Sequence, residues 1–262
     1  MRILLTNDDG VHALGLAIAE SIAHTVTDDV WIVAPEREQS GTSRAMTLAA
    51  QLRVRQIGPK RFAVDGTPSD CVLLALHHLI DGPKPDLALS GVNAGQNIAE
   101  DVTFSGTVAG AMQCMQFGIP AIALSQAKKF RGQDSLPWET AMRHGPDVLK
   151  SLIAAGWPAH VVLNVNFPDR DPDDVAGVEI TRQGFRDQSI LRTEQRTDLR
   201  GHPYFLIGYK GTLSDPAIGT DLRAIYEGRI SITPLHIDLT EAATLTALQE
   251  ALGKAPAGPQ RS

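Results

Sequence analysis

Short apolar runs alternate with helix-spaced apolar patterns along the first half of this chain, and that alternation restricts the fold more than any other feature. Ile3-Leu4-Leu5 sits in a strand pattern over residues 2–7, and similar runs follow at 29–34, 86–90 and 120–125. Between them, apolar residues recur at three- and four-residue spacing near 14–26, 68–80 and 106–117, as in Cys71, Leu74, Ala75 and Leu79. Near-continuous apolar strands separated by helices predict an α/β fold with a doubly wound, mostly parallel, Rossmann-like sheet covered on both faces. Thr67-Pro68 predicts an N-cap followed by proline in the first helical turn. Residues 51–66 alternate differently and predict an antiparallel hairpin around Gly58-Pro59.

A helix near 138–155 and a strand near 160–167 continue the alternation, which then breaks. Residues 176–210 hold two strand-like pieces, Val178-Glu179-Ile180-Thr181 and Tyr204-Phe205-Leu206-Ile207, separated by a polar stretch with arginines 186, 192, 196 and 200. This reads as an extended β-hairpin arm that cannot bury both faces on its own body. A late strand at 230–235 and a helix at about 240–253 follow, with Asp238 and Glu241 spaced as a capping box. The expected organisation is one domain over 1–262. It has a core over about 1–175, the arm at 176–210, a C-terminal strand and helix within 220–253, and a flexible tail at 255–262.

Composition narrows the classes. Hydrophobic residues make up 43% and charged residues 21% of 262, enough apolar material for a sizeable core. No apolar run reaches the roughly 18 residues of a spanning helix, and the start lacks signal-peptide features, so no membrane association and a cytoplasmic location are expected. The net charge of −6 comes without a basic stripe, which argues against a stable nucleic-acid partner. Cys71 and Cys114 lie far apart in helical patterns and read as reduced core thiols.

Asn7-Asp8-Asp9-Gly10 directly follows the first strand, where open α/β sheets bind their ligands. Two adjacent carboxylates repel by about 4 kcal/mol at ~4 Å and an effective dielectric of ~20. Protonating one or binding a hard cation removes the conflict; the same four residues are also good turn formers. Three more loops fall at carboxyl ends of strands or the start of a helix: Gln39-Ser40-Gly41-Thr42-Ser43, Ser90 to Asn97, and Phe104-Ser105-Gly106-Thr107-Val108. The last reads as a helix N-cap that also exposes amides suited to phosphate. A dinucleotide glycine motif, a GxxxxGK[ST] loop and a GxSxG elbow are all missing.

The segments LLTNDDG, QSGTS at 39–43, GTPSDC at 66–71, SGVNAGQN at 90–97, FSGTVAGAM at 104–112 and TDLRAIYEGRISITPL at 220–235 resemble, in order, the SurE (survival protein E) nucleotidases. The resemblance implies Asp8, Asp9, Ser40 and Asn93 as ligands of one divalent cation, Mg²⁺ or Mn²⁺, and Asn97, Ser105, Gly106 and Thr107 as the phosphate site. The family commonly carries tyrosine where Phe104 stands. The implied activity is hydrolysis of nucleoside 5′-monophosphates, with 3′-monophosphates as further substrates. Direct attack by water is expected, with Asp8 or Asp9 orienting it or taking its proton; covalent attack by Asp8 is the alternative, disfavoured because a metal-bound carboxylate is a poorer nucleophile. The resemblance further implies a homodimer or homotetramer that exchanges the arm and C-terminal segment between subunits. The competing class is a non-enzymatic, receiver-like module sensing metal or phosphate; it needs a phospho-accepting aspartate at a later strand end, and 52–57 offers none.

Overall fold

The computed structural model describes residues 1–128, 136–187, 191–209 and 214–253. Its centre is a parallel array formed by β1 (Arg2–Thr6), β2 (Asp29–Pro35), β5 (Leu87–Ala94), β6 (Ala121–Gln126) and β7 (Val162–Phe167), in the order β2-β1-β5-β6-β7. On one side β4 (Arg61–Val64) joins parallel to β2, and β3 (Val54–Gly58) closes that edge antiparallel to β4, as the alternation at 51–66 predicts. On the other side β11 (Ile230–Leu235) runs antiparallel to β7, and β8 (Val178–Ile180) lies parallel to β11 as the last strand.

The helices divide between the two faces. α1 (Leu14–Ala23) and α4 (Trp138–Ala155) bury Leu16, Ile22, Val148 and Leu149 against Ile3, Leu5, Ile122 and Leu163. α2 (Pro68–Leu74) and α3 (Gly106–Gln116) bury Cys71, Val72, Val108 and Ala111 against Leu4, Val33 and Ala88 on the opposite face. Because α1 follows β1 on one face and α3 leads from β5 on the other, a crevice opens between the carboxyl ends of these paired strands. Cys71 and Cys114 are free and buried; burial pushes the Cys114 thiol up to about 12. Among the described residues no helix is long and apolar enough to cross a membrane.

Several expectations need correction. The helix at 68–80 is not uniform. Thr67 caps it with a full capping box through Asp70, but after Leu74 it widens into a π-helical turn at Ala75–Leu79. β5 runs through Ala94, so Asn93 stands on a strand rather than in a loop, past a register shift between Ser90 and Asn93. Of residues 176–210, β8 belongs to the main sheet, and among the described residues β9 (Leu191–Thr197) and β10 (Pro203–Tyr209) form a separate antiparallel hairpin. β11 likewise sits inside the sheet of its own chain, between β7 and β8. Asp238 does not cap α6 (Ala242–Leu252); Glu241 does, accepting from the N–H groups of Ala243 and Thr244, while Asp238 accepts from Thr240. The expected tail at 255–262 lies outside the described residues.

α1 approaches the sheet closely enough to exclude any side chain at Gly15, where an added Cβ would sit 1.8 Å from the Val92 carbonyl oxygen. Backbone cannot yield as a side-chain tip can. Gly15→Ala should therefore destabilise the protein by about 3 kcal/mol or more, at the upper end of overpacking effects. Urea unfolding should show a lower midpoint at an unchanged slope; an unchanged midpoint would refute the close packing.

Candidate functional site

The turn after β1 holds itself in shape. Asn7 donates from Nδ2 to the Gly10 carbonyl at 2.9 Å, and Gly10 adopts φ +103. The turn reading and the site reading therefore hold for the same residues: the turn aims Asp8 and Asp9 into the crevice. Asp8 is 4% exposed and Asp9 is half-buried.

Asp8 lies against the start of α3. Thr107 donates its hydroxyl to Asp8 Oδ1 at 2.5 Å, and its backbone N–H also supports the carboxylate. Ser105 caps the helix by accepting from the Val108 N–H at 3.0 Å. The positive end of α3 thus faces the Asp8 carboxylate itself. Gly106 is pressed against that carboxylate, with an added Cβ falling 2.7 Å from Asp8 Cβ and 2.8 Å from Oδ2. One turn later Gly110 meets Ser90 Oγ and Thr6 Cγ2, each at 2.9 Å from the position of a Cβ. Two glycines on one helix face let α3 settle this close to β1 and β5.

The remaining loops are joined to the pair by single bonds. Ala94 donates its N–H to Asp9 Oδ2 at 3.0 Å, linking the end of β5 to Asp9. Gln39 donates its N–H to the Asp8 carbonyl at 2.7 Å, bringing the 39–43 loop across. Ser43 binds the Phe104 and Thr103 carbonyls at 3.1 and 2.7 Å, tying that loop to the start of α3. All the sequence-predicted site residues thus stand on segments around one crevice, though not all face it freely. Ser40 is exposed and donates to Glu38 Oε1 at 2.8 Å. Asn93 donates from Nδ2 to the Gly95 carbonyl at 2.8 Å, leaving Oδ1 as its donor atom for a cation. Asn97 is buried, and its Nδ2 binds Ser125 Oγ at 3.0 Å.

Burial dominates the electrostatics. Asp8 is raised from 3.8 to about 6, chiefly by desolvation and further by the Asp9 charge, against the lowering hydrogen bonds from Thr107. Asp9 is also raised, mainly by burial and then by Glu38, while the Ala94 N–H and Lys128 pull it down. The donor set suits a hard cation. Thr107 holds Asp8 Oδ1 and Ala94 holds Asp9 Oδ2, and carboxylate oxygens fixed in this way are hard donors. Among the described residues no group of three His, Cys, Asp or Glu side chains could hold a metal ion, so a cation at Asp8 and Asp9 would need neutral oxygens as further ligands.

The sequence reading missed Glu38, Lys128, Asn164 and Asn166. Asn166 Oδ1 accepts the Asn97 N–H at 2.8 Å, and Asn164 Nδ2 donates to the Asn97 carbonyl at 2.7 Å. Two asparagines at alternate positions of an otherwise apolar strand, Val-Leu-Asn-Val-Asn-Phe, are the signal that could have found the last two. β5, which pairs with β1, carries no carboxylate from Leu87 to Ala94, so it offers no phospho-acceptor for the receiver-like reading.

Fold and crevice define a doubly wound α/β protein with a paired-carboxylate site at its topological switch point. Residues 3–190 match the family model of Survival protein SurE. The chain belongs to the SurE family. It is 58% identical over 253 residues to the 5′-nucleotidase SurE of Parvibaculum lavamentivorans, covering 97% of this chain and 91% of that one. It is 59% identical over 257 residues to the 5′-nucleotidase SurE of Caulobacter vibrioides, covering 98% of each. The crystal structure of the SurE protein from Aquifex aeolicus superposes with a TM-score of 0.81 at 34% identity, covering 96% of this chain and 100% of that one.

The raised Asp8 fixes the sign of a pH effect. Its folded value near 6 lies above the ordinary 3.8, so the folded state holds this proton more tightly than the unfolded chain. Metal-free protein should therefore lose stability as pH rises from about 4 to about 6, by about 3 kcal/mol for a shift of this size, and level off above. Asp8→Asn should lack this component. Urea unfolding of both proteins in chelator across that range should show their stability difference changing by about that amount; a constant difference would count against the assignment.

Proposed function

We propose that this protein is a divalent-metal-dependent 5′-nucleotidase that hydrolyses nucleoside monophosphates to nucleoside and inorganic phosphate, with 3′-monophosphates as further substrates. One observation carries the reading: a buried Asp8 beside a half-buried Asp9 at the switch-point crevice, in a chain more than half identical to proteins named 5′-nucleotidase SurE. Asp8, Asp9, Ser40 and Asn93 would hold one Mg²⁺ or Mn²⁺. When bound, such a cation offsets charge on the phosphoryl oxygens and lowers the pKa of a bound water.

The protein groups do the rest. Asp8 and Asp9 are pre-oriented by Thr107 and Ala94, and one of them accepts the proton of the attacking water. The start of α3, from Ser105 to Thr107, supplies partial positive charge to the phosphoryl group, with Asn97 beside it. Thr107 serves this arrangement through Asp8, and Gly106 does so by leaving room for Asp8. The free, buried Cys71 and Cys114 are in keeping with work in the cytoplasm.

Assembly belongs to the same proposal. β9 is exposed along its whole length, Phe205 and Ile207 on β10 are 64% and 78% exposed, and α6 buries none of its residues. A homodimer or homotetramer that exchanges this hairpin and α6 between subunits would cover these apolar groups.

Chelation should abolish phosphate release from a nucleoside 5′-monophosphate, and Mn²⁺ or Mg²⁺ should restore it; full activity in rigorously metal-free protein would sink the proposal. Gly106→Ala should lower both Mn²⁺ affinity and turnover about 10- to 100-fold, because the new methyl group displaces Asp8. Calorimetric titration beside a phosphate assay would check both, and normal metal affinity would contradict the packing argument. Light scattering at micromolar concentration should give a dimer or tetramer for the intact chain and smaller particles for a Phe205→Asp, Ile207→Asp double variant. A folded, active monomer of the intact chain would overturn the exchange model.

A further inference from the structure

Residues 97–104 connect the end of β5 to the start of α3, and so join the Asn93 side of the crevice to the Ser105 side. This segment contains Ala99 at φ +53, a left-handed conformation that favours glycine. It is held there from outside the crevice. Ala99 donates its N–H to Asp221 Oδ2 at 2.9 Å, and its carbonyl accepts from Gln183 Nε2 at 3.0 Å. The other oxygen of Asp221 accepts the N–H groups of Gly184 at 2.8 Å and Leu222 at 2.7 Å. Arg186, whose side chain is 2% exposed, donates to Asp101 Oδ2 at 2.6 Å and pairs with Glu100 Oε1 at 3.3 Å. Its backbone N–H donates to Glu100 Oε2 at 3.2 Å.

One fully buried carboxylate therefore gathers three backbone segments that are distant in sequence, and one buried guanidinium grips the two acidic residues that follow Ala99. Neither is part of the crevice described above. We propose that Asp221 and Arg186 are positioning residues of the nucleotidase site: they hold residues 97–104 so that Asn97 and Ser105 flank the Asp8–Asp9 pair. The inference rests on the nucleotidase reading for its kinetic consequence. The clamp needs an acceptor at both oxygens of Asp221. An asparagine at 221 would keep one acceptor oxygen and turn an NH₂ group toward an N–H that needs an acceptor. Asp8 and Asp9 are supported from Thr107 and Ala94, outside the clamped residues, so the cation side should survive its loss.

The test uses the full chain with saturating Mn²⁺ and a nucleoside 5′-monophosphate. Asp221→Asn should lower kcat/KM at least 30-fold, with the larger part in KM, while Mn²⁺ affinity by calorimetry stays within about threefold. Hydrogen exchange should quicken at the amides of 98–104 and not at those of 3–6. Ala99→Gly in the same background should recover about five- to tenfold, the factor a left-handed alanine costs over glycine. Should Asp221→Asn fail to fold, Gln183→Leu carries the test, with a loss of about tenfold and the same exchange pattern. Wild-type kcat/KM in a folded variant would overturn the proposal, as would Mn²⁺ affinity falling in step with activity. If the unaltered protein released no phosphate, the nucleotidase reading would fail by itself. The exchange pattern would then still decide the clamp, unchanged protection at 98–104 overturning it.

Discussion

The bond between Thr107 and Asp8 is the contact on which the site's geometry turns. Asp8 is nearly excluded from water beside a second carboxylate, and that burial opposes its charge more strongly than Asp9 does. The hydroxyl and N–H at the start of α3 supply part of the missing solvation. They do so only because Gly106 and Gly110 let the helix come this near. A helix set further out would withdraw this hydroxyl and N–H from the Asp8 carboxylate.

That near approach also explains why the chain closes around the crevice with so few bonds. Gln39 reaches the Asp8 carbonyl, Ala94 reaches the Asp9 carboxylate, and Ser43 reaches the residues just before α3. Each link is an ordinary hydrogen bond, worth on the order of 1 kcal/mol net. Their effect lies in direction more than in strength, because every one ends on the turn after β1 or on the start of α3. The two largest apolar clusters lie on opposite faces of the sheet and fix β1 and β5 as neighbours, so the loops need only small adjustments to meet.

The sheet core and crevice were legible in the sequence because they obey local rules. The strand before Asp8 is a short apolar run, α2 announces itself at Thr67-Pro68, and Ser105 is an N-cap in both sequence and structure. Legibility failed where the controlling contact is distant in sequence. Nothing local marks Val178–Ile180 as a strand of the main sheet, since its partner β11 begins some fifty residues later. Arg186 sits in a polar stretch with three other arginines and nothing local singles it out, whereas the structure buries it against Glu100 and Asp101, the latter 85 residues away in the chain. The capping box at Asp238 failed differently: the spacing was right, but Glu241, three residues on, is itself the cap of a helix that begins at Ala242.

The same distinction separates the chemistry from its support. The residues proposed to meet cation and phosphate lie within the first 107 positions and form short motifs, because a turn or a helix start presents neighbouring residues together. The residues that hold those motifs in register come from 164, 166, 183, 186 and 221, one or two at a time. A buried polar group needs only a partner of matching geometry, and the fold can supply it from any strand or loop that passes by. Short motifs therefore reveal what the crevice can bind. How rigidly it does so depends on scattered side chains such as Asp221, which become recognisable only when the distant segments they join are seen side by side.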